Sequence, residues 1–227
     1  ALEVDYTPEA VAVQLLLVLR RLRPDFRPCS GLDPSAGSGV WARAMRAVFG
    51  PHLHLVGVEM RGSEAANLAA AYDSHIIGSA LGVALRGATF DLVATNPPFS
   101  AFEDGGWACN FLERGLLAPN SIVCLYGLTQ WGQSADAAPT LARWSPSLQL
   151  RLGGRVGHRG DNKADAREYS LWVWEHAMLP HQKGLPTWQT VQLPVLPTDL
   201  RRWRPDAVPG TRLIDPALVE LIRGRYL

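Results

Sequence analysis

The chain has 227 residues, 47% of them apolar, and a net charge of +1. This is enough to bury the core of a single domain, and the charge balance by itself argues for no particular partner. No apolar stretch reaches membrane-spanning length and no leader with a small-residue cleavage site opens the sequence, so a soluble, cytoplasmic protein without membrane contact is expected. The charge is unevenly distributed: residues 1–142 carry 9 Lys/Arg against 13 Asp/Glu, and residues 143–227 carry 13 against 8. A polyanion would be drawn to the C-terminal part, although a solvated basic face explains the same numbers. Cys29, Cys109 and Cys124 lack CxxC spacing and read as reduced, buried thiols, with no metal site expected.

Thr7-Pro8-Glu9 predicts a helix start, with a hydroxyl cap, a proline in the first turn and an acid at the positive dipole end; the helix runs through Val11–Leu22 and stops before Pro24. A strand over Cys29–Asp33 leads into a Gly-rich turn, and a helix containing Trp41–Phe49 follows. His54–Glu59 reads as a strand, Ser63–Tyr72 as a helix, and His75–Gly78 and Phe90–Thr95 as strands. Strands alternating with helices at this spacing predict a parallel sheet with helices on both faces. Gly106–Leu117 has helical periodicity, Ser121–Tyr126 is a buried strand, and Leu141–Trp144 lies near a short helix. The rhythm then changes, because Leu148–Val156 and Tyr169–His176 are strand-like runs joined by the polar loop Gly157–Glu168, an antiparallel hairpin. From Leu179 onward prolines at 180, 186, 194, 197, 205, 209 and 216 rule out long regular elements until a short helix around Pro216–Arg223. A main domain over residues 1–178 with a Pro-rich extension, 179–227, packed on it is therefore expected.

DPSAGSGVWA, Asp33 to Ala42, places an acid at a strand's end, then Gly37 and Gly39, then a helix. Glycines there let the backbone approach a ligand closely. The run also satisfies G-x-G-x-x-G/A, and Glu59 falls 20 residues after Gly39 at the tip of the second strand, where a carboxylate accepts hydrogen bonds from ribose hydroxyls. Both details suit NAD as well as another adenosine cofactor. Asp33 tips the balance, since a carboxylate beside the ligand suits the cationic methionine portion of S-adenosylmethionine and would repel a pyrophosphate.

TNPPFS, residues 95–100, leaves the strand Phe90–Thr95 at the edge where open parallel sheets hold ligands. An exocyclic base amine is a poor nucleophile because its lone pair is delocalised into the ring. Two acceptors aimed at its hydrogens, the Asn96 side-chain oxygen and the Pro97 carbonyl, would draw it toward tetrahedral geometry, with Pro98 supplying rigidity and Phe99 a stacking surface for the flipped base. A plain turn in a proline-rich chain is the alternative. The loop HRGDNKADARE offers His158, Arg159, Lys163 and Arg167 to phosphates, and a mixed-charge solvated hairpin accounts for it equally well. Trp41, Trp172 and Trp174 read as core, whereas Trp131, Trp203 and the Arg201-Arg202-Trp203-Arg204 cluster are better candidates for a nucleic-acid surface.

DYTPEAV, LDPSAGSG, LVGVEM and TNPPFS, in this order, resemble motifs X, I, II and IV of the amino-group DNA methyltransferases in the γ-type arrangement, over roughly residues 5–176. The resemblance implies a seven-stranded Rossmann-like methyltransferase fold with a terminal antiparallel hairpin, S-adenosyl-L-methionine as donor, and adenine N6 in DNA as acceptor. It implies cofactor contacts from Tyr6, Thr7 and Pro8 at the methionine end, and from Asp33, Pro34, Ser35, Gly37, Gly39, Glu59, Met60, Ser79 and Asn96. Catalysis would fall to Asn96, Pro97, Pro98 and Phe99, and the hairpin loop would line the target base. Two departures stand out. Where the family has an acid after the third strand this chain reads Ile77-Gly78-Ser79-Ala80, leaving Ser79 one hydrogen bond to offer, and only 51 residues follow His176, without the repeats of a large target-recognition domain. Sequence specificity would then be short, or be supplied by loops or by a partner chain or oligomer. The same chemistry on RNA bases or a protein glutamine amide, and a subunit that keeps the fold without turnover, are the other readings.

Overall fold

The computed structural model describes residues 7–82, 89–98, 117–135, 137–155, 167–176 and 188–193. Helix α1 (Glu9–Leu22) is followed by β1 (Ser30–Asp33), α2 (Val40–Phe49), β2 (His54–Glu59), a 3-10 turn and α3 (Ala65–Ala71), β3 (Ser74–Ile77) and β4 (Phe90–Thr95). Then come β5 (Leu117–Leu128), α4 (Ala138–Arg143), β6 (Leu148–Arg155), β7 (Glu168–Glu175) and β8 (Gln189–Leu193). All eight strands form one sheet in the order β3-β2-β1-β4-β5-β7-β6-β8. The first five strands to β5 are parallel, β7 runs antiparallel between β5 and β6, and β8 pairs parallel with β6. The sheet is thus the expected one with an eighth strand added at its edge.

The apolar runs explain the layers. Along α1, Val11, Leu15, Leu16, Val18 and Leu19 are buried, and α1 packs on α2, whose Trp41, Met45 and Val48 are also buried. Close helix-to-sheet approach sets two glycines: a Cβ at Gly31 would stand 2.8 Å from Leu55 and 3.3 Å from Met45 Sδ, and one at Gly57 would strike the Tyr72 ring at 2.8 Å. On the antiparallel side aromatic rings fill the core. Tyr126 stacks on Tyr169 with centroids 5.4 Å apart, and Trp131 meets Trp172 and Trp174 edge-on at 5.3 and 6.2 Å.

Several expectations are corrected here. Trp131, offered as a surface residue, is buried, because the 3-10 turn after β5 folds it under β7. Thr7 does not cap α1: Pro8 is the N-cap, its carbonyl receives the N–H groups of Val11 and Ala12, and the Thr7 hydroxyl is buried without a hydrogen-bond partner. Cys29 is exposed, lying just ahead of the strand, while Cys124 is buried as expected. Leu117 opens β5 instead of closing a helix. The remainder of that helix (106–116), the final helix, Cys109, Trp203 and the arginines around it lie outside the described residues.

Candidate functional site

The strand order reverses between β1 and β4: β1 connects outward through β2 and β3, while β4 leads the other way to β5. At such a switch point the connections diverge from the carboxyl ends of two neighbouring strands and leave a crevice. The loop Asp33–Gly39 and the segment Asn96-Pro97-Pro98 leave the sheet there, side by side.

Asp33, the last residue of β1, is fully buried. Tyr72 Oη donates to its Oδ2 at 2.6 Å, while Thr95 Oγ1 and the Ser35 N–H donate to Oδ1 at 2.7 and 3.2 Å. Burial raises its pKa to about 6, against the pull of these three hydrogen bonds. The carboxylate that sequence reading set directly beside a ligand therefore sits one layer beneath the edge, holding Ser35 and Thr95 in place. The same carboxylate and burial raise the Tyr72 phenol well above its ordinary value, burial being the larger cause.

Past Asp33, Pro34 is buried and the chain turns at Gly37 and Gly39, whose φ values of 51° and 79° are left-handed. Gly39 has a second reason to be glycine, because a Cβ would lie 2.5 Å from that of Ala71 on α3. The Gly37 N–H donates to Glu59 Oε2 at 2.8 Å, joining the loop to the tip of β2. Glu59 Oε1 receives the Arg61 N–H at 3.0 Å and its Nε at 2.8 Å. Burial pushes the Glu59 pKa up, but these bonds outweigh it and hold the carboxylate below its ordinary value, so it stays charged.

The N-terminus of α1 is drawn to the same place. Arg43 on α2 pairs with Glu9 at 2.8 Å and donates to the Ser38 carbonyl at 2.8 Å, clasping the start of α1 against the Gly loop. Thr7 and the half-buried Pro8 are thereby brought beside the loop. On the opposite flank Met60, Ile77 and Leu81 are large apolar side chains left 59%, 44% and 48% exposed. Register places Ile77 next to Glu59 and Met60 follows it in the chain, so these two side chains border the carboxylate. Ser79 is exposed in the same turn, after which Gly82 closes on the Ser79 carbonyl at 3.0 Å.

Among the expected catalytic residues, Asn96 is half-buried, Pro97 buried and Pro98 exposed, directly after the anchored Thr95. Arg167 is exposed at the entry to β7, next to the Arg151–Glu168 pair (2.6 Å). Tyr6, Phe99, His158, Arg159 and Lys163 lie outside the described residues. Sequence reading missed Tyr72, Thr95, Arg61, Ile77 and Leu81. Thr95 had a signal, a hydroxyl residue closing an apolar strand immediately before Asn96; nothing in the chain marks Tyr72 as a partner for an acid 39 residues earlier. No cluster of three or more metal-ligating side chains occurs among the described residues.

The site fits an adenosyl cofactor bearing a cation. It combines a charged carboxylate at the tip of β2, exposed apolar side chains beside it, a loop able to approach a ligand, and a buried hydroxyl at Thr7 that lacks a partner. A phosphate-bearing group fits less well, because the two nearest carboxylates, Asp33 and Glu59, would oppose it.

No family model matches the chain. No curated protein matches it either. Solved structures do resemble it. A Listeria monocytogenes protein described as a class I S-adenosylmethionine-dependent methyltransferase is 13% identical with a TM-score of 0.59, over 99% of this chain and 72% of the other. A Pyrococcus horikoshii protein described as an RNA methyltransferase is 16% identical with a TM-score of 0.57, over 77% of this chain and 88% of the other. The methyltransferase subunit of a type I restriction-modification system from Streptococcus thermophilus is 16% identical with a TM-score of 0.56, over 83% of this chain but 47% of that longer one. At such identities the likeness is one of architecture, and the strand order agrees with it: the chain has the class I methyltransferase fold.

Proposed function

We propose that the chain transfers a methyl group from S-adenosyl-L-methionine to the exocyclic N6 amine of adenine in DNA. The observation that carries this reading is the adjacency, at the sheet's switch point, of the Asp33–Gly39 loop and Asn96-Pro97-Pro98. One strand end holds the features of a donor site and its neighbour holds the acceptors an amine requires.

S-adenosyl-L-methionine, when bound, supplies an electrophilic methyl on a sulfonium. Glu59 would receive the ribose hydroxyls, with Met60, Ile77 and Leu81 against the adenine ring and Ser79 offering its hydroxyl. Gly37, Gly39, Pro34 and Ser35 form the loop beneath, and Tyr6, Thr7 and Pro8 close the methionine end. Asp33 acts through Ser35 and Thr95, adding negative potential under a cation. At the acceptor, the Asn96 side-chain oxygen and the Pro97 carbonyl each take one N–H of the target amine and localise its lone pair, while Phe99 stacks on the base. Asn96 and Pro97 would thereby aim the amine lone pair at the methyl that the donor supplies, and the proton displaced from the amine would pass to solvent. No side chain has to be methylated on the way.

DNA as the polymer rests on the Tyr6-Thr7-Pro8 element and on the resemblance of the four ordered motifs. The similarity to a protein described as an RNA methyltransferase favours, as a second reading, the same chemistry on an RNA base. Target choice would come from the hairpin loop with His158, Arg159, Lys163 and Arg167, or from a partner chain. The test is incubation with methyl-labelled donor and separate DNA, RNA and protein pools, followed by digestion to nucleosides. Label in N6-methyldeoxyadenosine is the expected result. Label confined to RNA or protein moves the acceptor, and donor binding with no pool labelled refutes transfer altogether.

A further inference from the structure

We propose that Thr95 is a positioning residue for catalysis: its hydroxyl, bonded to Asp33, fixes the acceptor segment Asn96-Pro97-Pro98 in register with the donor loop. The inference rests on the functional reading above and deepens it, because it names what aligns the two halves of the site.

Thr95 is fully buried at the last position of β4, where its backbone is in register with Leu125 of β5. In so apolar a setting valine would fill the same shape and favour the strand equally, and a buried hydroxyl costs stability unless it is hydrogen-bonded. Its partner cannot turn away. Asp33 is held on Oδ2 by Tyr72 at 2.6 Å and on Oδ1 by the Ser35 N–H, so the 2.7 Å bond from Thr95 ends on a carboxylate already held by two other donors. Ser35 belongs to the donor loop and Tyr72 follows the last residue of α3, so Asp33 ties together the ends of β1 and β4, the donor loop and the end of α3.

Pro97 and Pro98 have no N–H to donate, so backbone donors of these two residues cannot fix the aim of the Asn96 amide and the Pro97 carbonyl, and the anchored residue before them contributes to it. One peptide bond separates Asn96 from Thr95, and two separate Pro97 from it. A displacement of about 1 Å in a reacting group is enough to slow a reaction by about 100-fold.

The experiment compares Thr95→Val and Thr95→Ser with the wild-type chain. With both substrates saturating, Thr95→Val should lower kcat by about 30-fold or more while S-adenosylmethionine Kd, measured by calorimetry, changes by less than about 3-fold. Thr95→Ser, which restores the hydroxyl, should return kcat to within about 3-fold of wild type. In the chain without donor, the backbone amide of Asn96 should exchange hydrogen about 10-fold faster in Thr95→Val and at the wild-type rate in Thr95→Ser. Wild-type kcat in Thr95→Val, a serine variant as slow as the valine one, a loss lying wholly in donor affinity, or unchanged exchange at Asn96 would each overturn the assignment. A wild-type chain that labels no pool defeats the proposed function instead, and exchange at Asn96 then decides the role of Thr95.

Discussion

Replacing Asp33 by asparagine should make the protein more stable at neutral pH and worse at holding its donor. The carboxyl is fully buried, and its pKa is raised from an ordinary 3.8 to about 6, with burial as the leading cause. An acid that binds its proton more tightly folded than unfolded loses stability as pH rises between those two values, and above the higher one the whole loss persists. The gap corresponds to about 3 kcal/mol, present at pH 8 and largely absent at pH 4. Asparagine has the same shape and no charge. Its oxygen still accepts from Thr95 and Ser35, while its amide turns the Tyr72 bond around, so about 1 kcal/mol of the gain should be lost to poorer bonding. Urea unfolding at pH 8 should therefore show Asp33→Asn stabilised by about 2 kcal/mol, with the advantage shrinking toward pH 4.5. Calorimetry at pH 7.5 should show donor affinity weakened by about 10-fold, because the negative potential beneath the cation is gone. A variant less stable than wild type by the same margin at both pH values would show that the buried charge costs nothing, and the reasoning would fail.

Asn96→Ala should lower transfer by about 1000-fold with donor Kd within a few-fold, which single-turnover assays alongside calorimetry would separate. Gly39→Ala forces a side chain into a left-handed φ of 79° and into Ala71, and should cost about 2–4 kcal/mol in chemical denaturation. Arg23→Ala removes two 2.6 Å bonds to Glu175. Burial raises the Glu175 pKa, but Arg23 and Ser147 together bring it below its ordinary value, so this contribution to stability is present above the unfolded pKa and fades as pH falls through the folded one. Discounted for the partial exposure of the guanidinium, the loss should be about 1 kcal/mol near pH 7 and shrink as the carboxylate is protonated at low pH, readable as a shift in Tm.

The alternation of strands and helices from Ser30 to Thr95 was legible because each element carries its own signal: apolar strands, an amphipathic helix, glycines at the turns. Where the sequence misled, a local signal was overruled by something distant. The buried strand expected over Ser121–Tyr126 begins earlier, at Leu117, and takes Pro119 and Asn120 in as a bulge, with Asn120 at φ 67° and the register slipping between Phe90 and Leu92 of the partner strand. The run Gln189–Leu193 lies among prolines and pairs only because β6 offers an edge. Trp131, a candidate for the surface by sequence, is buried because Gly132 leaves room for Trp172 to close over that turn. At the candidate site the motifs named the loop, the β2 acid and the acceptor segment. They could not reveal that the first acid is spent on a phenol and a threonine, since these bonds depend on the ends of β1, β4 and α3 converging.

The position of β7 has a consequence for how the chain is made. It is the later strand of its hairpin, yet it lies between β5 and β6. On the ribosome, β6 emerges before the strand that will connect it to the sheet, and β5 waits with the backbone edge of Ile122–Leu128 unpaired until Glu168–Glu175 arrives. Synthesis that stalls or ends within that interval leaves a nascent chain with a long apolar strand edge ready to pair with another copy. Release of the hairpin as a unit, β7 docking with β6 already beside it, is the event that commits the nascent chain to its own sheet.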